Sequence, residues 1–198
     1  MSSRNGVPFC LARAGERPQH FAMQASALYE RDAARTVIRL MSAAARTSPK
    51  TRGLDNIRVR VIEDDASRER LVARMREIAR RENRPGLERD AENIVASPAI
   101  LVVGVATRSA GLNCGFCGHP TCEALEQACG VCAFNSMDLG IAVASAASVA
   151  AHHHLDNRLM YSIGKAAIDL GLLPPEVIQA LGIPLSVTGK NPFFDRKG

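Results

Sequence analysis

The stretch SPAILVVGVA, residues 97–106, opens on a serine and a proline and is apolar from there on. A run of this kind, rich in β-branched residues, is typical of a strand that is buried on both of its faces. We therefore predict an inner strand at this point. The segments on either side of it indicate a single α+β domain in which helices outnumber strands.

The sequence before this run predicts two helices and a second strand. Apolar residues recur at helical spacing from His20 to Arg46, and TSPKTRG, residues 47–53, ends that helix with a proline and a glycine. IRVRVIED, residues 57–64, alternates apolar and charged residues as a half-exposed strand does. Residues 67–82 form a charged amphipathic helix pattern.

The sequence beyond residue 137 predicts three further helices. Residues 138–152 are rich in alanine, glycine and valine, and residues 158–170 form a second apolar helix pattern, for which Asp156 is a candidate N-cap. LLPPEVIQAL, residues 172–181, is interpreted as a short helix with a proline near its start. PLSVTGKNPFF, residues 184–194, is expected to be a strand or an extended tail.

Length and composition indicate one soluble domain. The chain has 198 residues, of which 46% are apolar, and that is enough for one sizeable core. We expect residues 20–198 to form this domain and residues 1–19 to be loosely ordered. The longest apolar run, residues 139–151, has thirteen residues, whereas a membrane-spanning helix needs about 18. Because the N-terminus also lacks a run of signal-peptide length, a cytoplasmic protein without a membrane segment is expected.

Positive charge is concentrated in the first third of the chain. Residues 1–60 hold eleven Arg or Lys against four Asp or Glu, a balance of +7, while the whole chain carries +5. A basic region can mark a nucleic-acid-binding protein, but aromatic residues make up only 4% and there is no tryptophan for base stacking. We therefore expect no nucleic-acid partner, and interpret the basic region as a solvated face or a docking surface for an acidic partner.

Five of the six cysteines lie within GLNCGFCGHPTCEALEQACGVCAF, residues 111–134. They are Cys114, Cys117, Cys122, Cys129 and Cys132. Clustered cysteines in a cytoplasmic chain favour metal binding or redox chemistry over disulfides. An iron–sulfur cluster would use the first three and one of the last two. Zinc would use the two C-x-x-C pairs and leave the middle cysteine unused, and free or redox-active thiols are the third alternative. Cys10 is isolated and no function is assigned to it.

Neighbouring residues suit a cluster-binding segment. Glycines follow Cys114 and Cys117, which lets the backbone fold tightly and direct N–H groups toward sulfur. Pro120 suits the first turn of a helix, so Cys122 is expected in that first turn, where negative charge is favoured. His119 is interpreted as a neighbour that tunes the site and not as a ligand.

The motif CGFCGHPTCEAL resembles the four-cysteine pattern of iron–sulfur electron-transfer subunits, which bind a [4Fe–4S] cluster. Together with CAFNSMDLGIAVASA, DNRLMYSIGKAAIDLGLL and GIPLSVTGKNPFFDR, it resembles a prokaryotic family of uncharacterised ferredoxin-domain proteins over residues 111–196. The pattern of that family implies Cys132 as the fourth ligand, with Cys129 as the alternative. The resemblance implies a cluster but names no reaction.

A second resemblance concerns the order of elements. AARTSPKTRGLDNIRVRVIED is similar to the nitroreductase segment in which a helix ends in a loop and enters the first core strand, and residues 98–106 and 138–151 resemble a later strand and the central helix of that fold. This resemblance implies a nitroreductase-like α+β homodimer. Nitroreductases bind FMN, but the N-terminal arginine clamp for its phosphate is missing here, so FMN is possible but not favoured. Arg46, Lys50, Arg52 and Lys190 are the candidate residues for an anionic cofactor.

The sequence therefore predicts an iron–sulfur protein that holds one [4Fe–4S] cluster and acts in electron transfer or redox chemistry. Its partner would be a redox protein or a small-molecule electron acceptor. The enzyme alternative is an FMN-dependent oxidoreductase fed by the cluster, and the structural alternative is a zinc-stabilised interaction module. No nucleophile–base pair or phosphate loop stands out, so no substrate can be named from the residues. If the chain is an enzyme, we expect an oxidoreductase.

Overall fold

A four-stranded antiparallel sheet runs through the middle of the protein, in the strand order β1-β2-β4-β3. The strands are β1 (Ile57–Ile62), β2 (Ile100–Ala106), β3 (Asp156–Asn157) and β4 (Val177–Ser186). This is a computed structural model, which describes the backbone of residues 19–194 and the side chains from residue 26 onward. The loosely ordered segment expected over residues 1–19, Cys10 included, lies outside the described residues except for Gln19.

Helices cover both faces of the sheet. They are α1 (Gln19–Thr47), α2 (Asp65–Arg81), α3 (Pro85–Asn93), α4 (Cys122–Gln127), α5 (Ala133–His152) and α6 (Tyr161–Asp169). A short 3-10 turn, Thr51–Gly53, follows α1. One core lies between the sheet and α2, α3 and α6, and the other lies between the sheet and α1 and α5.

Strand β2 contributes side chains to both of these cores. Ile100 and Val102 point into the core with α2, α3 and α6, while Leu101, Val103 and Val105 point into the core with α1 and α5. Every residue of β2 is buried. The prediction of a strand buried on both faces is therefore confirmed, and alternating side chains are the physical reason for the uninterrupted apolar run.

The interpretation of residues 172–181 as a helix is wrong. The chain turns at Pro174 and then enters β4 at Val177. Strand β4 pairs with β2 on the side opposite β1, and Leu181 lies opposite Val103. Because β2 is buried, its backbone N–H and C=O groups must find partners on both sides, and this pairing outweighs the local helical pattern.

Four other features of the helices differ from the sequence prediction. The central helix α5 begins at Ala133, five residues before the predicted start, and α3 was not predicted. The prediction of Asp156 as a helix cap is also wrong, because it lies in β3 and accepts a hydrogen bond from the Asn191 amide at 2.9 Å. Helix α6 starts only at Tyr161 and has no side-chain cap.

Helix α5 is 20 residues long and, by length and composition alone, apolar enough to cross a membrane. In the fold it packs against α1 and the sheet, with Leu139, Ala142, Val143 and Ala146 in the core. Packing within the domain therefore accounts for the apolar residues on one face of α5.

Candidate metal centre

The cysteines lie on a long connection that leaves the sheet at the end of β2 and returns to the domain at α5. From Gly111 to Val131 only Leu125 is buried. Leu125 packs with Ala110 and Cys132 in a small core of its own, against which Cys117 and Phe134 also pack. The cysteine segment, residues 111–132, is thus held by few apolar contacts of its own.

Four of the five cysteines line one small cavity in this segment. They are Cys114, Cys117, Cys122 and Cys132. Cys132 is the most buried of them, with 6% of its surface exposed, whereas Cys114 is exposed. The remaining cysteine, Cys129, is exposed and does not line this cavity. It lines a neighbouring open pocket of about 430 Å³, to which Leu125 and Cys132 also contribute. Of the two members of the second C-x-x-C, only Cys132 therefore lines the cavity with the other three cysteines.

Hydrogen bonds place Cys122 against the start of the segment. The Cys122 backbone N–H donates to Asn113 Oδ1 at 2.8 Å, and the Asn113 N–H points to Cys122 Sγ at 3.4 Å. The Thr121 hydroxyl accepts from the Ala124 N–H at 3.1 Å and caps α4, so the prediction of Cys122 in a first helical turn is confirmed. A backbone N–H directed at sulfur stabilises the thiolate form that binds a metal.

Glycines permit the tight course of the backbone here. Gly115 and Gly118 have φ values of 69° and 85°, which favour glycine. Gly130 is required for a different reason, since a Cβ there would lie 2.4 Å from the Leu125 side chain. Cys129 itself takes a φ of 50°, an uncommon value for a residue with a side chain.

Two aromatic rings and a histidine complete the cavity wall. Phe116 and Phe134 stack with ring centroids 5.8 Å apart, and 67% of Phe116 is exposed. His119 also lines the cavity, and its Nε2 lies 3.5 Å from the position that a Cβ on Gly130 would take. The histidine therefore lies beside the thiols, and its role in tuning the site stays a prediction.

The donor set fits an iron–sulfur cluster in its chemistry. Four thiols surround one cavity, and the described cysteines form no disulfide with one another. Over residues 26–194, however, no three His, Cys, Asp or Glu side chains converge as a ready-made metal site. The number and kind of these ligands match the four thiolates that such a cluster takes. Binding of the metal would draw the four sulfur atoms together.

The cations proposed for an anionic cofactor mostly bind within the protein. Arg46 pairs with Asp55 and donates to the Ile57 carbonyl, and Lys50 donates to the carbonyls of Arg46 and Ser48. Arg52 donates to the carbonyl of Ala110 at 2.8 Å. Lys190 lies on the exposed turn after β4 and also has an interaction partner. Their role in cofactor binding stays a prediction.

Sequence reasoning missed two residues that support the cysteine segment. Asp138, buried in α5, accepts hydrogen bonds from the Thr51 backbone N–H at 3.1 Å and from the Thr51 hydroxyl at 3.0 Å. Thr51 and Asp138 are 87 positions apart, so no local pattern connects them. The sequence signal was an acidic residue in a helix that has no other Asp, Glu, Lys or Arg.

Comparison with known proteins identifies relatives at the level of sequence. The sequence model of a family described as uncharacterised proteins containing a ferredoxin domain matches residues 128–196. This match includes Cys129 and Cys132 but begins after Cys122. An uncharacterised protein from Archaeoglobus fulgidus is 40% identical over 166 residues, a match that covers 79% of this chain and 88% of that protein.

Solved structures that resemble this protein include nitroreductases. A nitroreductase with bound FMN from Desulfitobacterium hafniense superposes with a TM-score of 0.56 and 17% identity, covering 82% of this chain and 83% of the other. A nitroreductase with bound FMN from Bacteroides fragilis gives a TM-score of 0.55 and 10% identity, with 82% of both chains covered. At these identities the likeness shows the fold, and the predicted nitroreductase-like α+β architecture is confirmed.

Proposed function

We propose that this chain, which belongs to the family of uncharacterised proteins containing a ferredoxin domain, holds one [4Fe–4S] cluster and transfers electrons through it. The ligands would be the thiolates of Cys114, Cys117, Cys122 and Cys132. The observation that carries the proposal is that these four side chains line one cavity, whereas Cys129 does not line it. When bound, such a cluster supplies reversible one-electron chemistry.

The protein residues would hold and shield the cluster. The Asn113 N–H directed at Cys122 Sγ would stabilise its thiolate, and Leu125 would close the side nearest the domain. The stacked rings of Phe116 and Phe134 would cover part of the opposite wall. Exposed Phe116 and Leu112, which is 43% exposed, would then be the apolar side chains that a redox partner meets first.

The proposal is tested by purifying the protein without oxygen and measuring iron, acid-labile sulfide and zinc. Iron and sulfide in equal amounts, with the broad visible absorption of a cluster, are expected. Cys114→Ala, Cys117→Ala, Cys122→Ala and Cys132→Ala should each abolish stoichiometric iron, because each removes a ligand. Cys129→Ala is the matched control and should retain iron. Stoichiometric zinc without iron would instead support the zinc-stabilised module. Iron loss in Cys129→Ala with iron retained in Cys132→Ala would reverse the assignment of the fourth ligand.

An FMN-dependent activity is the second candidate, because structural neighbours of the same fold contain bound FMN. We propose that FMN does not bind tightly here, since Arg46, Lys50 and Arg52 donate to acceptors within the protein. Any binding is expected to be weaker than about 1 μM, or about 8 kcal/mol. Acid release followed by fluorescence measures bound flavin, and near-stoichiometric flavin would make the protein a flavoenzyme fed by the cluster.

A homodimer is proposed from the outward face of α5. Met137 and Ile141 are 38% and 41% exposed there, next to exposed Gly140 and Ala144. Small and apolar side chains on one helix face allow a second subunit to approach closely. Light scattering at micromolar concentration should give the mass of two chains, and a monomeric mass would contradict the proposal.

A further inference from the structure

We propose that Thr51 and Arg52 act as a clamp that closes the base of the cysteine segment and positions it for metal binding. This inference rests on the proposed cluster-binding function and identifies positioning residues for it. Neither residue lines the cavity of the four cysteines. Both act from the turn after α1, which lies far from the segment in sequence.

Arg52 holds the point where the chain enters the segment. Its guanidinium donates to the Ala110 carbonyl at 2.8 Å, across 58 positions of sequence. Ala110 is buried and belongs to the small core with Leu125 and Cys132. The next residue, Gly111, has a φ of 66°, and a Cβ there would lie 3.2 Å from the same guanidinium. The arginine therefore lies directly against the bend from which the segment starts.

Thr51 holds the point where the chain leaves the segment. Its backbone N–H and its hydroxyl both donate to the carboxylate of Asp138, six positions after Cys132. The carboxylate belongs to a residue that is only 5% exposed. A buried carboxylate is costly unless it accepts hydrogen bonds, so these bonds fix the turn on α5.

Two consecutive residues thus tie Ala110 to Asp138, and all four candidate ligands lie between these two points. A segment with one buried residue between positions 111 and 131 has little packing of its own to resist opening. Closing its ends lowers the conformational entropy that metal binding must overcome.

The test is hydrogen exchange of the backbone amides of residues 111–132, measured in protein stripped of metal by a chelator. Arg52→Ala and Asp138→Asn should each make the segment exchange roughly tenfold faster, because each weakens hydrogen bonds that involve a charged group. The double variant should exchange little faster than either single variant, since freeing one end already opens the segment. Amides of α2 and α3 should exchange unchanged.

The anaerobically purified protein supplies a second measurement. Arg52→Gln removes the cation and is expected to lower the midpoint potential of the cluster, because reduction adds negative charge, while Arg52→Lys should largely restore it. Arg60→Gln, an exposed arginine on β1, is the matched control and should change neither exchange nor potential.

The outcomes separate the two proposals. Unchanged exchange in the Arg52 and Asp138 variants, or equal acceleration throughout the protein, would overturn the clamp. Wild-type protein that purifies without iron would overturn the cluster, but faster exchange confined to residues 111–132 would still support the clamp.

Discussion

The sheet and the cysteine segment are stabilised in different ways within one chain. Every residue of β2 is buried, and its backbone pairs with a strand on either side. The cysteine segment has one buried residue between positions 111 and 131 and depends on turns, caps and distant hydrogen bonds. The sheet can therefore fold by burying apolar surface, whereas the segment gains rigidity from what it binds.

The largest effect is expected where α6 packs on β4. A Cβ added at Gly164 would lie 1.8 Å from the Ala180 carbonyl oxygen, so Gly164→Ala would force the helix away from the sheet. We expect a loss of more than about 4 kcal/mol, which is comparable with the whole stability of many domains. Thermal unfolding and soluble yield measure it. Gly86→Ala, where nothing lies within 4 Å, is the control and should leave stability unchanged or slightly higher; a mild effect at Gly164 would contradict this packing.

Truncation of one leucine in each region should separate global from local stability. Leu101→Ala removes a fully buried side chain from β2 and is expected to lower the free energy of unfolding by about 3 kcal/mol. Leu125→Ala removes the central side chain of the small core beside the cysteines. It should cost less global stability but release iron faster. Denaturant unfolding and iron retention measured on both variants give the comparison, and equal global losses would show that the segment folds as part of the main core.

Removing a helix cap in each region should have a smaller effect and compare local with global stability again. Thr121→Ala removes the cap of α4 and should destabilise that helix by about 1 kcal/mol, seen as faster exchange near Cys122 without a change in melting temperature. Asp64→Ala removes the cap of α2, whose carboxylate accepts from the Ser67 N–H at 2.8 Å, and should lower the melting temperature without changing iron content. A fall in melting temperature for the Thr121 variant would contradict the local role of α4.

The smallest expected effect is a dependence of stability on pH at the N-cap of α2. The hydrogen bond from the Ser67 backbone N–H lowers the pKa of Asp64 below its ordinary value of 3.8. A lowered pKa in the folded state means that the cap stabilises fully above pH 3.8 and loses its contribution as the pH falls through the lower pKa. The melting temperatures of wild type and Asp64→Asn should therefore differ at neutral pH and converge in acid. A difference that persists below the lowered pKa would contradict this account.

Elements formed by local patterns could be predicted from the sequence. In the structure, α1, β1 and α2 start and end within two residues of their predicted bounds. Strand β2 ends where predicted but starts three residues later. The helix predicted over residues 172–181 failed because pairing with β2 determines the conformation there. The contact between Thr51 and Asp138 could not be predicted at all, since it exists only when α5 packs beside the turn after α1.

The sequence by itself determined the chemistry of the site: five cysteines close together, glycines that allow a tight loop, and a helix start at Cys122. It also determined the inner strand, because only a strand buried on both faces needs an unbroken apolar run. The spacing in the sequence does not distinguish Cys129 from Cys132, because both belong to one C-x-x-C. Only the tertiary structure placed Cys132 in the cavity with the other three and Cys129 outside it, because Cys132 packs with Leu125 and Ala110 in the small core whereas Cys129 stays exposed.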